Sequence, residues 1–142
     1  KMANIIPDAF KSELLSGTHN FANGGNSFKI ALYTDISGYS TSSTAYSATN
    51  EVSSSGTSYP AGGQALDSQV IAVASNVAHV DFADEVFSSV TLSAVGAIIY
   101  NDTNSDKLVV VLDFGGTKTA TNGDFTIQFP AAGASSSIIR IA

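Results

Sequence analysis

Two histidines are the imidazole groups with which this sequence could perform acid or base chemistry. Nucleophilic catalysis needs a hydroxyl within hydrogen-bond reach of a base, and a third group that orients the base. His19 lies in a connection rich in Gly and Asn, whereas His79 alternates with Val77 and Asp81 along a predicted strand. This alternation favours a half-exposed structural histidine paired with a nearby carboxylate. No Gly-x-Ser-x-Gly motif is present, so we predict no catalytic residues and no enzyme.

A second pattern of interest is a group of oxygen-bearing side chains from Asp102 to Asp106. They occupy positions one, three and five of a calcium-loop pattern, and Asp113 falls at position twelve. Position six is Lys107 where the loop needs Gly, and a strand follows where a helix is needed. The pattern therefore favours a solvated hairpin loop, with calcium as the alternative. We expect no metal and no cofactor.

Two further patterns are incomplete. Gly115-Gly-Thr-Lys-Thr119 has the Lys-Thr pair of a phosphate-binding loop but lacks the first Gly at the required spacing. Asp81, Asp84 and Glu85 could supply the paired acids of a glycosidase, but the sequence has no Trp to line a sugar cleft. The acidic group is equally typical of a surface turn.

Composition disfavours several classes of function. The chain of 142 residues has no Cys, which excludes disulfides and thiolate chemistry. Its net charge is -6 and its six basic residues are scattered singly, so binding to nucleic-acid phosphates is disfavoured. No apolar run reaches the length of a membrane span, and the first residues lack the apolar core of a signal peptide. We therefore expect no direct nucleic-acid or membrane partner, and synthesis in a cytoplasm without Sec export.

Uncharged hydroxyls replace much of the usual surface charge. Charged residues make up 13% of the chain, whereas it contains 21 Ser and 12 Thr. Sheet edges of monomeric proteins are usually guarded by Lys and other charges, and few are available here. The chain is either a β protein with small polar faces or a subunit whose surface is largely covered by neighbours. The scarcity of charge favours the second interpretation.

The hydrophobic pattern predicts an all-β fold, an antiparallel β-sandwich or jelly roll with one short N-terminal helix. Two consecutive hairpins are expected, the first of which joins Val90–Tyr100 to Leu108–Phe114 through a polar loop. The second turns near Asn122-Gly123 into Asp124–Phe129. Leu108–Phe114 is apolar on both faces, so it belongs in the middle of a sandwich or under a neighbouring subunit. Further strands are predicted at Phe28–Thr34, Gln69–Ala74, Asn76–Ala83 and Ser137–Ile141.

Residues 1–27 are predicted to form an N-terminal arm with a short helix and a loop, and residues 28–142 a single β-sandwich domain. Pro7, Asp8 and Gly17 mark the ends of the helix. Phe10 and Leu14 form a small apolar stripe, which must dock on something to hold the helix. The stripe packs either across an open end of its own sandwich or onto a neighbouring subunit.

Residues 35–63 are small and polar, with a short helical or extended piece expected near Ala45–Val52. A segment of this length without strong periodicity is typical of a functional or interface region, with partial disorder as the alternative.

Seven short phrases share their order and spacing with a known group of proteins. They are Ala31-Leu-Tyr-Thr34, Tyr46-Ser-Ala-Thr-Asn-Glu-Val52, Tyr59-Pro-Ala-Gly-Gly63, Val80-Asp-Phe82, Gly96-Ala-Ile-Ile-Tyr-Asn101, Val111-Leu-Asp-Phe-Gly-Gly-Thr-Lys-Thr119 and Gly123-Asp-Phe-Thr-Ile-Gln-Phe-Pro130. Together they resemble a family of small tailed-bacteriophage proteins, generally described as virion structural or uncharacterised. The resemblance spans about residues 31–142, and its most specific block ends in Phe114-Gly-Gly-Thr-Lys-Thr119. It implies a role in the virus particle and brings no catalytic residues.

The family resemblance covers proteins of the capsid shell and of the tail alike. A short single β domain with a docking helix, low charge and no fibrous repeat resembles a capsid decoration, or cement, protein more than a fibre subunit. These features predict a protein of the capsid surface that binds the major capsid protein and copies of itself, as a homo-oligomer in the particle. Many weak contacts would then stabilise the assembled shell by bridging its subunits. The candidate interface residues are Met2, Ile5, Ile6, Phe10, Leu14, Tyr46 and Tyr59. Deleting residues 2–16 is expected to leave a folded domain that no longer binds the shell.

Two alternatives remain open. A tail-tip or fibre-associated module would engage a host receptor or another tail protein, and would be present in few copies. A carbohydrate-binding module would present a patch of exposed aromatic side chains.

Overall fold

The computed structural model describes residues 4–142, which form one helix and seven strands. Helix α1 spans Asp8–Leu15. The strands are Phe28–Tyr33 (β1), Gln64–Ala65 (β2), Val70–Ala74 (β3), Val77–Asp81 (β4), Glu85–Asn101 (β5), Lys107–Ile127 (β6) and Ile139–Ile141 (β7).

The strands form two antiparallel sheets. One has the order β2-β1-β5-β6, and the other has the order β3-β4-β7. Both contribute to one buried cluster, which contains Leu32 and Phe87 from the first sheet and Val80 and Ile139 from the second. The prediction of an all-β sandwich with one short helix is confirmed.

The centre of the fold is one long hairpin, β5–β6, where the sequence pattern predicts two. Asn122-Gly123 does not turn the chain, because it lies inside β6 and Gly123 pairs with Val90 of β5. Asn122 does adopt a positive φ of 46°, but this conformation accompanies a shift of register instead of a turn. The strand continues because Phe125 beyond it pairs with Phe87 on the core side.

The Gly115-Gly116 pair also lies within β6, at a second shift of register, and does not end the strand. Ala94 pairs with Lys118 and Gly96 with Asp113, so residues 114–117 bulge out opposite a single residue of β5. Gly115 has a φ of 76°, which a glycine adopts without strain. The bulge lets the two halves of the hairpin keep their apolar sides on the core.

The first half of β6 is buried on both faces by its own chain. Leu112 lies in the main core, whereas Leu108 and Val111 belong to a second buried cluster on the outer face of the sheet. Ile36 and Tyr39 complete that second cluster. They belong to residues 35–63, which we call the covering segment. The apolar outer face therefore needs no neighbouring subunit to bury it.

Helix α1 ends as its sequence predicts. Pro7 precedes its first turn with a φ of −64°. After its last turn, the Gly17 N–H donates to the Leu14 carbonyl and the Thr18 N–H donates to the Glu13 carbonyl, which satisfies carbonyls that the helix leaves free. Gly17 adopts a φ of 77°, as glycine does at this position.

Strands β3 and β4 are joined by the two-residue turn Ser75-Asn76. Both residues have positive φ, 50° and 65°, which is the conformation whose twist matches a tight hairpin. The predicted bounds of β1, β3, β4 and β7 agree with the structure to within two residues.

Candidate interaction surfaces

The covering segment is held in place by a carboxylate, Glu51. The hydroxyls of Tyr46 and Tyr59 each donate a hydrogen bond to Glu51, and the Gly62 N–H donates a third at 2.9 Å. The Tyr59 hydroxyl in turn accepts from the Leu32 N–H of β1 at 2.9 Å. The carboxylate thus ties three parts of the covering segment to each other and, through Tyr59, to the sheet.

Three more tyrosines extend the network. The Tyr33 hydroxyl donates to the Ser47 carbonyl at 2.6 Å, the Tyr39 hydroxyl donates to the Tyr33 oxygen at 2.9 Å, and the Tyr100 hydroxyl donates to the Gly62 carbonyl. All five tyrosines of the chain therefore fasten the covering segment. Burial raises the pKa of every one of them, because a tyrosinate would lose its hydration.

Two predicted interface residues belong to this network. Tyr59 is almost wholly buried and its ring stacks on Phe87, so it packs within the chain and is not free for a partner. Tyr46 is half-buried, and its ring packs against Tyr100. Of the two, only Tyr46 presents surface to a partner.

The arm packs against its own sandwich. Phe10 is only 2% exposed and lies in the main core. The apolar stripe of the helix therefore packs on its own sandwich and not on a neighbouring subunit. Ile5 pairs with Val111 of β6 through two backbone hydrogen bonds of 2.9 Å. Ile6 and Leu14 are half-buried against the same core. Met2 lies outside the described residues.

His19 anchors the arm, although its place in a polar connection gave no sign of this. Its Nε2 lies 3.0 Å from Glu13 of α1, and its Nδ1 lies 3.0 Å from the amide nitrogen of Asn101. The Asn101 Oδ1 accepts from two backbone N–H groups, of Thr103 and Asn104, so its nitrogen must be the donor to His19. His19 is therefore the tautomer that donates from Nε2 to Glu13.

His79 differs from its prediction. It is buried, and its Nδ1 lies 3.3 Å from the Ser137 hydroxyl instead of beside a carboxylate. The segment that leads into β7 covers the strand face on which His79 lies, which the alternation within β4 could not indicate. The Asp102–Asp106 loop is a turn between β5 and β6 in which Asp102 faces Lys29 at 3.8 Å. Within residues 4–142, no three His, Asp or Glu side chains are grouped to hold a metal ion.

An apolar groove runs between α1 and β7. It has a volume of about 770 Å³. Leu15 at its rim is 92% exposed and Ile141 is 54% exposed. Lys11 and Arg140 stand at the same rim, where they supply two of the six basic side chains of the protein. We call this the arm groove; it is lined by Ile6, Phe10, Lys11, Leu14, Leu15, Val77, Ala134, Ile138, Ile139, Arg140, Ile141 and Ala142.

The outer side of the covering segment forms a cleft of about 380 Å³. Hydroxyls and an amide line it, among them Ser43, Thr49 and Asn50, together with Asp35. The Ser37 N–H donates to Asp35 and lowers the pKa of that carboxyl. No buried polar group of the described residues points to a ligand in this cleft, and we assign it none.

Comparison of the chain with protein-family models, with curated proteins and with solved structures found no match. None of the helices in the described part of the chain is long and apolar enough to cross a membrane.

Proposed function

We propose that this protein is a non-enzymatic structural component of a phage virion, and that it acts as a capsid decoration, or cement, protein. The observation that carries the proposal is the arm groove, an exposed apolar groove with cations at its rim on a protein of net charge -6. Contiguous exposed apolar surface usually marks a site of interaction with a partner, and in this groove Leu15 and Ile141 are both exposed. The groove therefore has the character of a surface that a neighbour covers.

The chemistry of the arm groove indicates its partner. A segment of the major capsid protein that carries apolar side chains beside carboxylates would bury Leu15 and Ile141 and face Lys11 and Arg140. The Lys11 side chain already lies 3.6 Å from Asp8, and both groups are well exposed, so this pair can rearrange at little cost. Such contacts are weak singly and add up over the many symmetric sites of a shell.

The exposed side chains outside the arm groove favour a decoration protein over a glycan-binding module. Within residues 4–142, the largely exposed large apolar side chains are all aliphatic, whereas sugar-binding sites are usually lined with aromatic rings. The five tyrosines are committed to internal hydrogen bonds.

The first test is the copy number of the protein in purified virions, measured by quantitative mass spectrometry against the major capsid protein. About one copy per capsid subunit or per capsomer supports the proposal. A handful of copies per virion contradicts it and supports the alternative, a tail-tip or fibre-associated module.

The arm groove is tested by binding to shells that lack the protein. Leu15→Gln should weaken binding about tenfold or more, because the loss of one buried Leu contact costs about 1.5 kcal/mol or more. Thr121→Gln, at an exposed position of β6, is the matched control and should bind as wild type. Equal occupancy by both variants would show that the groove does not face the shell.

A further inference from the structure

We propose that two copies of this chain pair through strand β3, edge to edge and antiparallel, about a two-fold axis at Ala72. The pairing joins the two three-stranded sheets into one sheet of six strands. This goes beyond the proposed function, because it concerns the isolated protein and needs no shell.

Strand β3 lies at the edge of its sheet and carries none of the usual protection against pairing. Its sequence, Val70-Ile-Ala-Val-Ala74, contains neither a charge nor Pro. Among the described residues no segment pairs with its outer edge. The side chains of Val70, Ile71 and Val73 are 55%, 52% and 72% exposed. An uncharged, apolar edge with free backbone groups is a template for another strand.

The other sheet edges in residues 4–142 are covered, short or charged. The first half of β6 is covered by pairing with Ile5 and Ala45, and the second half carries Lys118 and Asp124. Strand β7 carries Arg140, and β2 has only two residues. Since each copy has a net charge of -6, two copies approach with least repulsion at an edge that bears no charge. This argument selects β3 and a second copy as its occupant.

The sequence of β3 is self-complementary in the proposed register. With the axis at Ala72, Val70 lies opposite Ala74 of the second copy and Ile71 lies opposite Val73 of the second copy, so all five residues pair. Directly opposed residues of an antiparallel pair point to the same face. Ile71 and Val73 of the two copies therefore form one apolar cluster across the axis.

That cluster continues the inner face of each sheet. Ile71 pairs with Val80 of β4, and Val80 pairs with Ile139 of β7. Val80 and Ile139 are buried in the main core, whereas Ile71 is left half-exposed on the same face. Pairing would bury the exposed end of this apolar row and would satisfy the free backbone groups of β3 at the same time.

The area that the pairing of the two β3 strands buries limits the affinity of the dimer. Two five-residue strands cover less than the roughly 800 Å² per partner of a standard stable interface. We therefore expect a reversible dimer with a dissociation constant on the order of tens of micromolar. Symmetric repetition in a particle would reinforce such a contact.

Disulfide cross-linking of single-cysteine variants tests the register of the two β3 strands directly, because the chain has no Cys of its own. Opposed Cα atoms in an antiparallel pair lie about 4.5–5.5 Å apart, within the range that a disulfide spans. Ala72→Cys should form a covalent dimer under mild oxidation. Val70→Cys is the matched control: its two copies would lie four residues apart along the strands, or about 13 Å, and should remain largely monomeric.

Sedimentation equilibrium of the untagged protein supplies the second measurement. Wild type should show a concentration-dependent dimer, and Val73→Lys should weaken dimerisation at least tenfold with an unchanged melting temperature of the monomer. Leu15→Gln, in the arm groove, should dimerise as wild type. A wild-type protein that stays monomeric at ~500 μM, or equal cross-linking of the two cysteine variants, overturns the proposal. Neither result bears on shell binding, which Leu15→Gln tests separately.

Discussion

Glu51 shows how one carboxylate can order a long polar connection. It accepts hydrogen bonds from two tyrosine hydroxyls and one backbone N–H, each no more than eleven residues from Glu51 along the chain. Charge-assisted hydrogen bonds are stronger than neutral ones, so they hold a segment that has little apolar content of its own. Side-chain hydrogen bonds therefore hold the covering segment in place.

Tyr59 is the residue at which this network meets the sheet. Its hydroxyl both accepts from the Leu32 N–H and donates to Glu51, so Tyr59→Phe leaves a buried N–H without a partner. We expect a loss of about 1–3 kcal/mol in the free energy of unfolding. Tyr46→Phe removes a donor from the same carboxylate at a half-exposed position and should cost less. Urea denaturation compares the two variants, and equal losses would contradict the bridging function of Tyr59.

Alkaline pH should unfold the protein steeply. Burial raises the pKa of Tyr33, Tyr39, Tyr59 and Tyr100 in the folded state, whereas in the unfolded chain each titrates near pH 10. The stability that each contributes is thus complete below pH 10 and is lost above it, at up to about 1.4 kcal/mol per pH unit and group. Tyrosinate absorbance should rise together with unfolding. A gradual rise near pH 10 in a folded protein would contradict this expectation.

At the scale of elements, helix α1 is an integral part of the sandwich. Phe10 packs against the rings of His19 and Phe21, with centroids 5.0 and 6.1 Å away, and Glu13 receives a hydrogen bond from His19. Lys107 of β6 adds an ion pair to Glu13 at 3.4 Å. An eight-residue helix is too short to be stable alone, so these contacts are what keep it folded.

The helix therefore offers a contrast between two apolar side chains. Phe10→Ala should lower the free energy of unfolding by about 3–5 kcal/mol, because it opens a cavity in the core. Leu15→Ala, five residues further on and exposed, should change it by less than about 0.5 kcal/mol. Thermal or chemical denaturation measures both. Similar effects of the two changes would mean that the helix does not dock through Phe10.

The sequence predicts those elements whose residues show a local pattern, and it does not predict contacts between residues that are distant along the chain. The hydrophobic pattern predicts β1, β3, β4 and β7 to within two residues. In β1 and β4 it does so by alternation, because inward and outward residues differ in polarity. The single β5–β6 hairpin could not be predicted, since Asn122-Gly123 has the same local preference in a bulge as in a turn. The contacts of Tyr59 with Leu32, of Tyr100 with Gly62 and of His19 with Asn101 join residues far apart along the chain, and no local spacing indicates them.

The predicted interface residues illustrate the same limit. The sequence predicts Phe10 as an interface residue from the apolar stripe of the arm, and Tyr59 from its place in the polar segment 35–63, yet the fold buries both. The side chains that the fold leaves most exposed, Leu15 and Val73, lie in an ordinary helix end and an ordinary strand. Only the three-dimensional arrangement shows that nothing within residues 4–142 covers them.

For the whole molecule, the arm is packed into the core and onto the sheet edge of the sandwich. Deleting residues 2–16 would remove Phe10 from the core and would free the edge of β6 that Ile5 covers. The truncated chain is thus expected to lose stability as well as any surface contact. Point changes at exposed positions such as Leu15 and Val73 separate surface contacts from stability, because they leave the core intact.

The grouping of the tyrosine side chains around the covering segment also determines what the intrinsic fluorescence of the protein measures. The chain has no Trp, so its intrinsic fluorescence comes from five tyrosines that all surround one segment. Helix α1, β3 and β7 contain no Tyr. A local opening of the covering segment would therefore change the emission as completely as global unfolding. Far-ultraviolet circular dichroism, which follows the strands, is the independent probe that distinguishes the two events.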